Sequence, residues 1–199
     1  MYVAKGSPQD AREIAKLYCA AFPESVELFF GTKPSDKLLN LLELTFLLVF
    51  YSGGEALLVK NEAGSIYGYC LYRSAREASA NRSLRKTLTV LPKMASKTSL
   101  AEIGKLLHNQ LIMATSTKRT KKSARPQAQI ISIAICPTCQ GQGVGTLLFR
   151  SVLNDLEPYS VGLNVRADNP AARRLYAKTG FQECGTTSDL SGKWIMLVK

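Results

Sequence analysis

The spacing of apolar positions changes repeatedly along the chain, and each change predicts an element. Residues 2–5 (YVAK) predict a short strand, and Ser7 followed by Pro8 predicts a helix start, with Ser7 as cap and Pro8 at the first helical position. Ile14, Leu17, Tyr18 and Ala21 recur at helical spacing and carry that helix to about residue 22. Ser35 is placed to cap a second helix over 36–50, which Ser52, Gly53 and Gly54 break. Two strand-like runs follow, EALLVK at 55–60 and SIYGYCLY at 65–72, joined by NEAG, whose Asn and Gly suit a hairpin turn. Ser99 and Glu102 form a capping-box pattern, and Leu100, Ile103, Leu107, Leu111 and Ala114 fall on one helical face, predicted to be the packed one. STKRTKKSARPQ at 116–127 has no apolar period and predicts a mobile loop. Beyond it come a β-branched strand at 129–135, an amphipathic helix at 145–156, a strand at 161–166, a helix at 169–179 stopped by Gly180, and closing strands at 181–184 and 193–198. An early hairpin followed by a β-α-β unit predicts a mixed α/β (α+β) fold, with helices on both faces of a mixed sheet.

Composition changes this picture little. A chain of 199 residues that is 46% hydrophobic and 21% charged is expected to form a single domain, 1–199, and wholesale disorder is excluded. The first residues have no apolar core of a secretory signal. The longest apolar run, 38–51, is interrupted by Asn40, Glu43 and Thr45 and is too short to span a bilayer, so no membrane is expected among the partners. Five cysteines at low density predict reduced thiols and a cytoplasmic location. Charge is more informative. Residues 73–125 hold thirteen Lys or Arg against Glu77 and Glu102, which accounts for the whole formal net charge of +11. The basicity therefore belongs to one insertion, at about 74–128.

The stretch IAICPTCQGQGVGTLLFRSV (133–152) offers two chemistries. Cys136 and Cys139 form a C-x-x-C, but zinc would need two further ligands, His108 is the sole histidine, and no second C-x-x-C exists. These thiols are read as incidental, and no metal is expected. Gln140, Gly141, Gln142, Gly143, Val144 and Gly145 lie between a strand and a helix. Backbone N–H groups of such a turn, beside the positive end of a helix dipole, bind phosphate without a lysine. The pattern lacks both the P-loop ending and the dinucleotide-binding spacing of three glycines, and by itself it also suits an ordinary turn.

That loop, followed by LNVRADNPAARRLYAKTGF at 163–181, resembles the acetyl-coenzyme-A motif and companion motif of the GNAT-superfamily N-acetyltransferases. The second motif is most similar to the ribosomal-protein N-terminal acetyltransferases. The resemblance implies the GNAT fold, a mostly antiparallel sheet with a central splayed parallel strand pair. It implies an acyl-coenzyme-A-dependent N-acyltransferase that passes acetyl from acetyl-CoA to a primary amine of a small molecule or protein, by direct attack in a ternary complex. Ile133, Ala134 and Ile135 would line the pantetheine arm, with one backbone N–H near the thioester carbonyl. Gln140, Gly141, Gln142, Gly143, Val144, Gly145 and Thr146 would hold the pyrophosphate. Asn169 matches an Asn that contacts the cofactor, and Tyr176 matches the Tyr that protonates the departing thiolate. Read from the residues alone, Tyr176 is also an ordinary core aromatic on an amphipathic helix.

One position departs from the pattern. Asn164 stands where the ribosomal-protein enzymes have Glu, and Asn is no base at neutral pH. Glu24, Glu55 and Glu62 are candidate bases that nothing local distinguishes. The departure leaves open a non-catalytic acyl-CoA-binding relative. The basic insertion opens a third reading, docking on nucleic acid or the ribosome, although it lacks aromatic interleaving and any nucleic-acid motif. It leads into the start of the 129–135 strand, about 20 Å from the phosphate end, and is expected to shape the acceptor side. A monomer and a homodimer both fit the sequence.

Overall fold

The structure is a computed structural model and describes residues 1–31, 33–74, 83–120 and 125–199. Eight strands form one sheet among the described residues: β1 (Tyr2–Lys5), β2 (Glu55–Lys60), β3 (Ile66–Ser74), β4 (Lys118–Arg119), β5 (Ala128–Ile135), β6 (Val161–Arg166), β7 (Gln182–Asp189) and β8 (Gly192–Val198). Their spatial order is β1-β2-β3-β5-β6-β8-β7-β4. Only β5 and β6 pair in parallel; the other pairs are antiparallel. The helices are α1 (Ala11–Ala21), α2 (Pro23–Phe30), α3 (Ser35–Tyr51), α4 (Leu84–Ala95), α5 (Leu100–Ser116), α6 (Val144–Asp155) and α7 (Pro170–Lys178).

Strand alternation explains the layers. On β2 and β3, Ala56, Leu58, Tyr69 and Leu71 enter one core with Ile14 of α1 and Phe46 of α3. Leu57, Val59, Cys70 and Tyr72 point the other way, into a core with Leu148 and Phe149 of α6 and Tyr176 of α7. Burial on both faces makes these strands near-continuous apolar runs, which is why EALLVK and SIYGYCLY were legible. Each fully buried Leu or Val contributes about 1.5–3 kcal/mol relative to exposure.

The feature that positions a site is the parallel pair. Its pairing is confined to Ala128 with Val161 and Gln129 with Gly162. Beyond that point β5 stays with β3 as far as Ile135, and β6 stays with β8 as far as Arg166. The facing edges of β5 and β6 therefore part, as the expected splayed pair does.

Several expectations need correction. Ser35 is the first residue of α3 and Pro34 occupies the cap. A short helix, α2, begins at Pro23 where none was expected. The predicted loop at 116–127 contains β4, whose two residues pair with Gly185 and Thr186 of β7; residues 121–124 of that loop lie outside the described ones. The largest change is on α5. Its capping box forms, with Glu102 N–H donating to Ser99 Oγ and Ser99 N–H to Glu102 Oε2. Its leucine face, however, is the outer one: Leu100, Leu107 and Leu111 are 88%, 65% and 61% exposed. The buried side chains of α5 are Glu102 and Asn109. Polar contacts set the helix's rotation: Lys33 Nζ lies 3.1 Å from Glu102, and Asn109 Oδ1 accepts the Leu190 N–H at 2.8 Å.

Candidate active site

The site is built around the end of β5. Pro137–Cys139 makes one 3-10 turn, and the chain then swings through Gly141 at φ 75° and Gly143 at φ 82° into α6. Both glycines are in the left-handed region, which a side chain disfavours, and an added Cβ at either would have nothing within 4 Å. α6 starts without a side-chain cap and without an acidic residue in its first turn, so its leading N–H groups are left to a ligand or solvent. Val144 points into the core with Leu148 and Phe149 and anchors the helix start. Gln142 Nε2 donates to Thr138 O at 2.9 Å and Gln140 Nε2 to Ile135 O at 3.3 Å, bracing the loop from within.

The open edge of β5 has a defined polarity. Cys136 N–H donates to Tyr67 O, toward β3. In an antiparallel pair, backbone groups alternate sides, so those of Ala134 also turn to β3 while those of Ile133 and Ile135 face the gap. Ala134 thus belongs to the wall, whereas Ile133 turns its N–H and C=O and Ile135 its N–H to the gap, the Ile135 C=O being taken by Gln140 Nε2.

A groove of about 560 Å³ runs along this edge, lined by Ile133, Ala134, Ile135, Gln140, Gly141, Gly143, Gly145, Thr146, Asn169 and Tyr176 among others. Of the residues expected at the cofactor, Gln142 and Val144 are not part of this lining. A second cavity of about 350 Å³ opens on the other side, between Tyr18, Phe22 and Phe29 and the residues Asn164, Arg166, Asp189, Ser191 and Trp194. The two share Phe22, Ile133, Asn169, Ala172 and Tyr176. They meet at the Tyr176 ring and the Ile133 edge.

Tyr176 is held firmly. Asn169 caps α7, accepting the Ala172 N–H at 3.0 Å, with Pro170 at the first helical position. The Tyr176 ring packs 4.9 Å from Phe149 and 6.1 Å from Phe181. Burial pushes its phenol above the ordinary value, so it stays protonated. Tyr69 and Tyr72 are equally buried, but their hydroxyls bond to Ser132 and Asp155. Among the described residues the Tyr176 hydroxyl has no such partner, and Tyr176 lines both cavities.

The second cavity holds groups that sequence reasoning did not find. Asp189, at the β7–β8 turn, is its lining carboxylate; Oδ1 accepts from Ser191 N–H at 2.8 Å and from Ser191 Oγ at 2.6 Å. The Trp194 indole N–H is buried without a partner among the described residues. Arg166 is tied to Asp168 by two bonds of 2.9 and 2.7 Å. Of the candidate bases, Glu55 and Glu62 line neither cavity, and Glu24 acts from outside, raising the Arg166 guanidinium pKa after the larger effect of Asp168. Cys136 and Cys139 are free thiols; the Thr138 hydroxyl, 3.2 Å from Cys136 Sγ, holds that thiol below its ordinary range. Among the described residues no group of three or more His, Cys, Asp or Glu side chains could hold a metal.

α5 braces both walls of the second cavity. Lys105 Nζ donates to Leu28 O of α2 at 3.2 Å, behind Phe29. Asn109 takes the Leu190 N–H and Ser116 Oγ the Ser188 N–H, both at 2.8 Å, on either side of Asp189. Asn109→Leu leaves that N–H unsatisfied at a cost of about 1–3 kcal/mol. It is expected to raise the KM of whatever occupies this cavity about tenfold, with ligand affinity in the β5 groove unchanged and Asn109→Asp largely restoring KM. Steady-state kinetics beside calorimetry for the groove ligand checks this.

Comparison with known proteins agrees with this geometry. The N-alpha-acetyltransferase RimI of Mycobacterium tuberculosis is 40% identical over 57 residues, covering 29% of this chain and 36% of that protein. The [ribosomal protein bS18]-alanine N-acetyltransferase of Escherichia coli K12 is 40% identical over 60 residues, 29% of this chain and 40% of that protein. The match thus spans less than half the length of these curated relatives. Among solved structures, an N-acetyltransferase from Staphylococcus aureus Mu50 aligns over 100% of both chains with TM-score 0.65 and 20% identity. The ribosomal-protein-S18-alanine N-acetyltransferase from Escherichia coli aligns over 99% of this chain and 91% of that one, with TM-score 0.57 and 16% identity. At such identities the likeness is one of fold. A family model described as "Acetyltransferase (GNAT) family" matches residues 13–181, and with a parallel pair that opens beside a glycine-turned helix start, the chain belongs to that family.

Proposed function

We propose that this protein transfers an acetyl group from acetyl-CoA to a primary amine by direct attack, with donor and acceptor bound together. The observation that carries this is the meeting of two cavities at one buried, protonated and unpartnered phenol, Tyr176. The groove residues fit the donor. Gly141, Gly143 and the uncapped start of α6 offer amides to a pyrophosphate, and the free edge at Ile133 and Ile135 suits an amide-bearing arm added like a strand. Bound acetyl-CoA supplies the activated acyl group.

The chain's own groups divide the remaining work. The outward N–H of Ile133, at the junction, is the donor placed to steady negative charge on the thioester oxygen; loss of such a donor costs about 2.7–4 kcal/mol of barrier. Tyr176 hands its proton to the departing sulfur, and the proton that the nitrogen loses to solvent as the amide forms balances the one that solvent returns to the phenol. Asp189 attracts the ammonium form of the acceptor, and the rings of Tyr18, Phe22, Phe29 and Trp194 accommodate its apolar part. Asn164 faces the same cavity and cannot take a proton, so the amine is deprotonated through solvent before attack. The carboxylate missing at Asn164 separates this chain from the ribosomal-protein relatives, and we assign no peptide N-terminus as its acceptor. The same feature favours one alternative, a protein that binds acyl-CoA without turnover.

The pH profile distinguishes a Tyr176 raised by burial from an ordinary phenol. Below its raised pKa the phenol keeps its proton, so kcat/KM is expected to rise as the amine deprotonates and to show no falling limb near pH ~10. A descending limb there, absent in Tyr176→Phe, would contradict the assignment.

A further inference from the structure

Seven of the eleven large hydrophobic side chains exposed among the described residues lie on α4 and α5. Leu84, Leu88 and Leu91 follow one another at i, i+4 and i+7, and Leu88 is 66% exposed. Leu100, Leu107 and Leu111 make the second stripe. Neither helix contains an aromatic residue. Exposed cations lie on or next to these helices: Arg85, Lys93, Lys97 and Lys118. From Leu84 to Arg119 the one acidic residue is Glu102, and it is buried against Lys33. The exposed side chains of the two helices thus combine leucine with cations and include no carboxylate.

What covers such a surface must be both apolar and anionic. A second copy of the chain is apolar but brings the same positive field, which repels. A specific protein partner is met at anchors of Trp, Tyr and Arg in pockets, and these helices have no aromatic anchor. Leucine on one side of a helix and Lys or Arg around it is the composition of helices that lie in a bilayer interface, apolar face down. Each Lys or Arg held near an anionic leaflet adds about 1 kcal/mol.

We propose that α4 and α5 dock this protein on the surface of an anionic lipid bilayer, with the leucine stripes entering the headgroup layer and the exposed cations meeting lipid phosphates. No helix among the described residues is long and apolar enough to cross a membrane, and the docking is peripheral. This departs from the sequence-based expectation that no membrane is a partner. That expectation rested on the length of the apolar run at 38–51, which bears on spanning a bilayer and not on lying against one.

The test is flotation of the full chain with two kinds of vesicle, phosphatidylcholine alone and phosphatidylcholine mixed with phosphatidylglycerol. The protein is expected to float with the mixed vesicles only, less so as salt rises. Leu88→Asp and Leu107→Asp are each expected to weaken flotation about tenfold or more, with thermal stability unchanged because both positions are exposed. Lys93→Glu keeps the leucines and is expected to weaken binding to mixed vesicles. Failure to float with either vesicle overturns the proposal, as does equal binding to both or binding indifferent to the leucine variants. A particle mass that doubles in solution and returns to the monomer value in Leu107→Asp also overturns it, giving the face to a second copy.

Discussion

Tyr176→Phe is expected to lower kcat by about a hundredfold to ten-thousandfold while leaving the dissociation constant of acetyl-CoA within about twofold. The substitution removes one oxygen from a side chain whose ring is held by Phe149, Phe181 and the core beneath α6 and α7. A phenylalanine keeps those contacts, so the fold and the groove persist. What disappears is the proton at the junction of the two cavities. Because the Tyr176 hydroxyl has no protein partner among the described residues, its removal strands no buried group. A stability loss therefore cannot account for a fall in rate. Equal kcat values in wild type and Tyr176→Phe, with chemistry shown to be rate-limiting, would remove the acid from the mechanism.

Gly143→Val is expected to abolish acetyl-CoA binding with the sheet and helices intact. Gly143 caps α6 at φ 82°, and an L residue held there costs about 1–2 kcal/mol, more when β-branched. No atom within 4 Å obstructs a Cβ, so the side chain itself would not clash with the protein. The damage comes from two directions at once. The turn must relax out of the left-handed region, which re-aims the N–H groups at the start of α6. The new methyl groups also occupy the space where a phosphate must approach the backbone. Gly143→Ala imposes less of both and is expected to weaken binding less. Calorimetry with coenzyme A, with circular dichroism as the fold control, checks the pair. Normal affinity in a folded Gly143→Val would show that the glycine turn is not a phosphate cradle.

How far the sequence reached follows the range of the interactions involved. The strands of the central sheet and the helices α1, α3, α6 and α7 were legible because continuous apolar runs and helical spacing report burial directly. The groove side was legible too: glycines, the cap Asn169 and Tyr176 sit in two local segments whose order is distinctive. The second cavity was not. Asp189, Ser191 and Trp194 reach the second cavity only because β8 returns beside β6 and the β7–β8 turn folds over its end. Nothing local in TSDLSGKW marks that approach. α2 is a short helix beginning directly after Phe22, without a polar cap to signal its start. α5 shows a different failure. Helical periodicity identified its leucine stripe, but periodicity says only that residues share a face, not which way that face points. Buried Glu102 and Asn109, each with a fixed partner, oriented the helix and put the leucines outside.

The proposed direct passage of acetyl from donor to acceptor, across cavities that share Tyr176 and Ile133, is tested most directly by a single-turnover experiment. Excess enzyme is mixed with acetyl-labelled acetyl-CoA and one member of a panel of primary amines, among them a peptide N-terminus, a lysine side chain, an amino sugar and a small aliphatic amine. The expected result is label on at least one amine, at a rate dependent on that amine, with none trapped on the protein. Tight binding of acetyl-CoA with no transfer to any amine would contradict the account and leave a binding protein in its place.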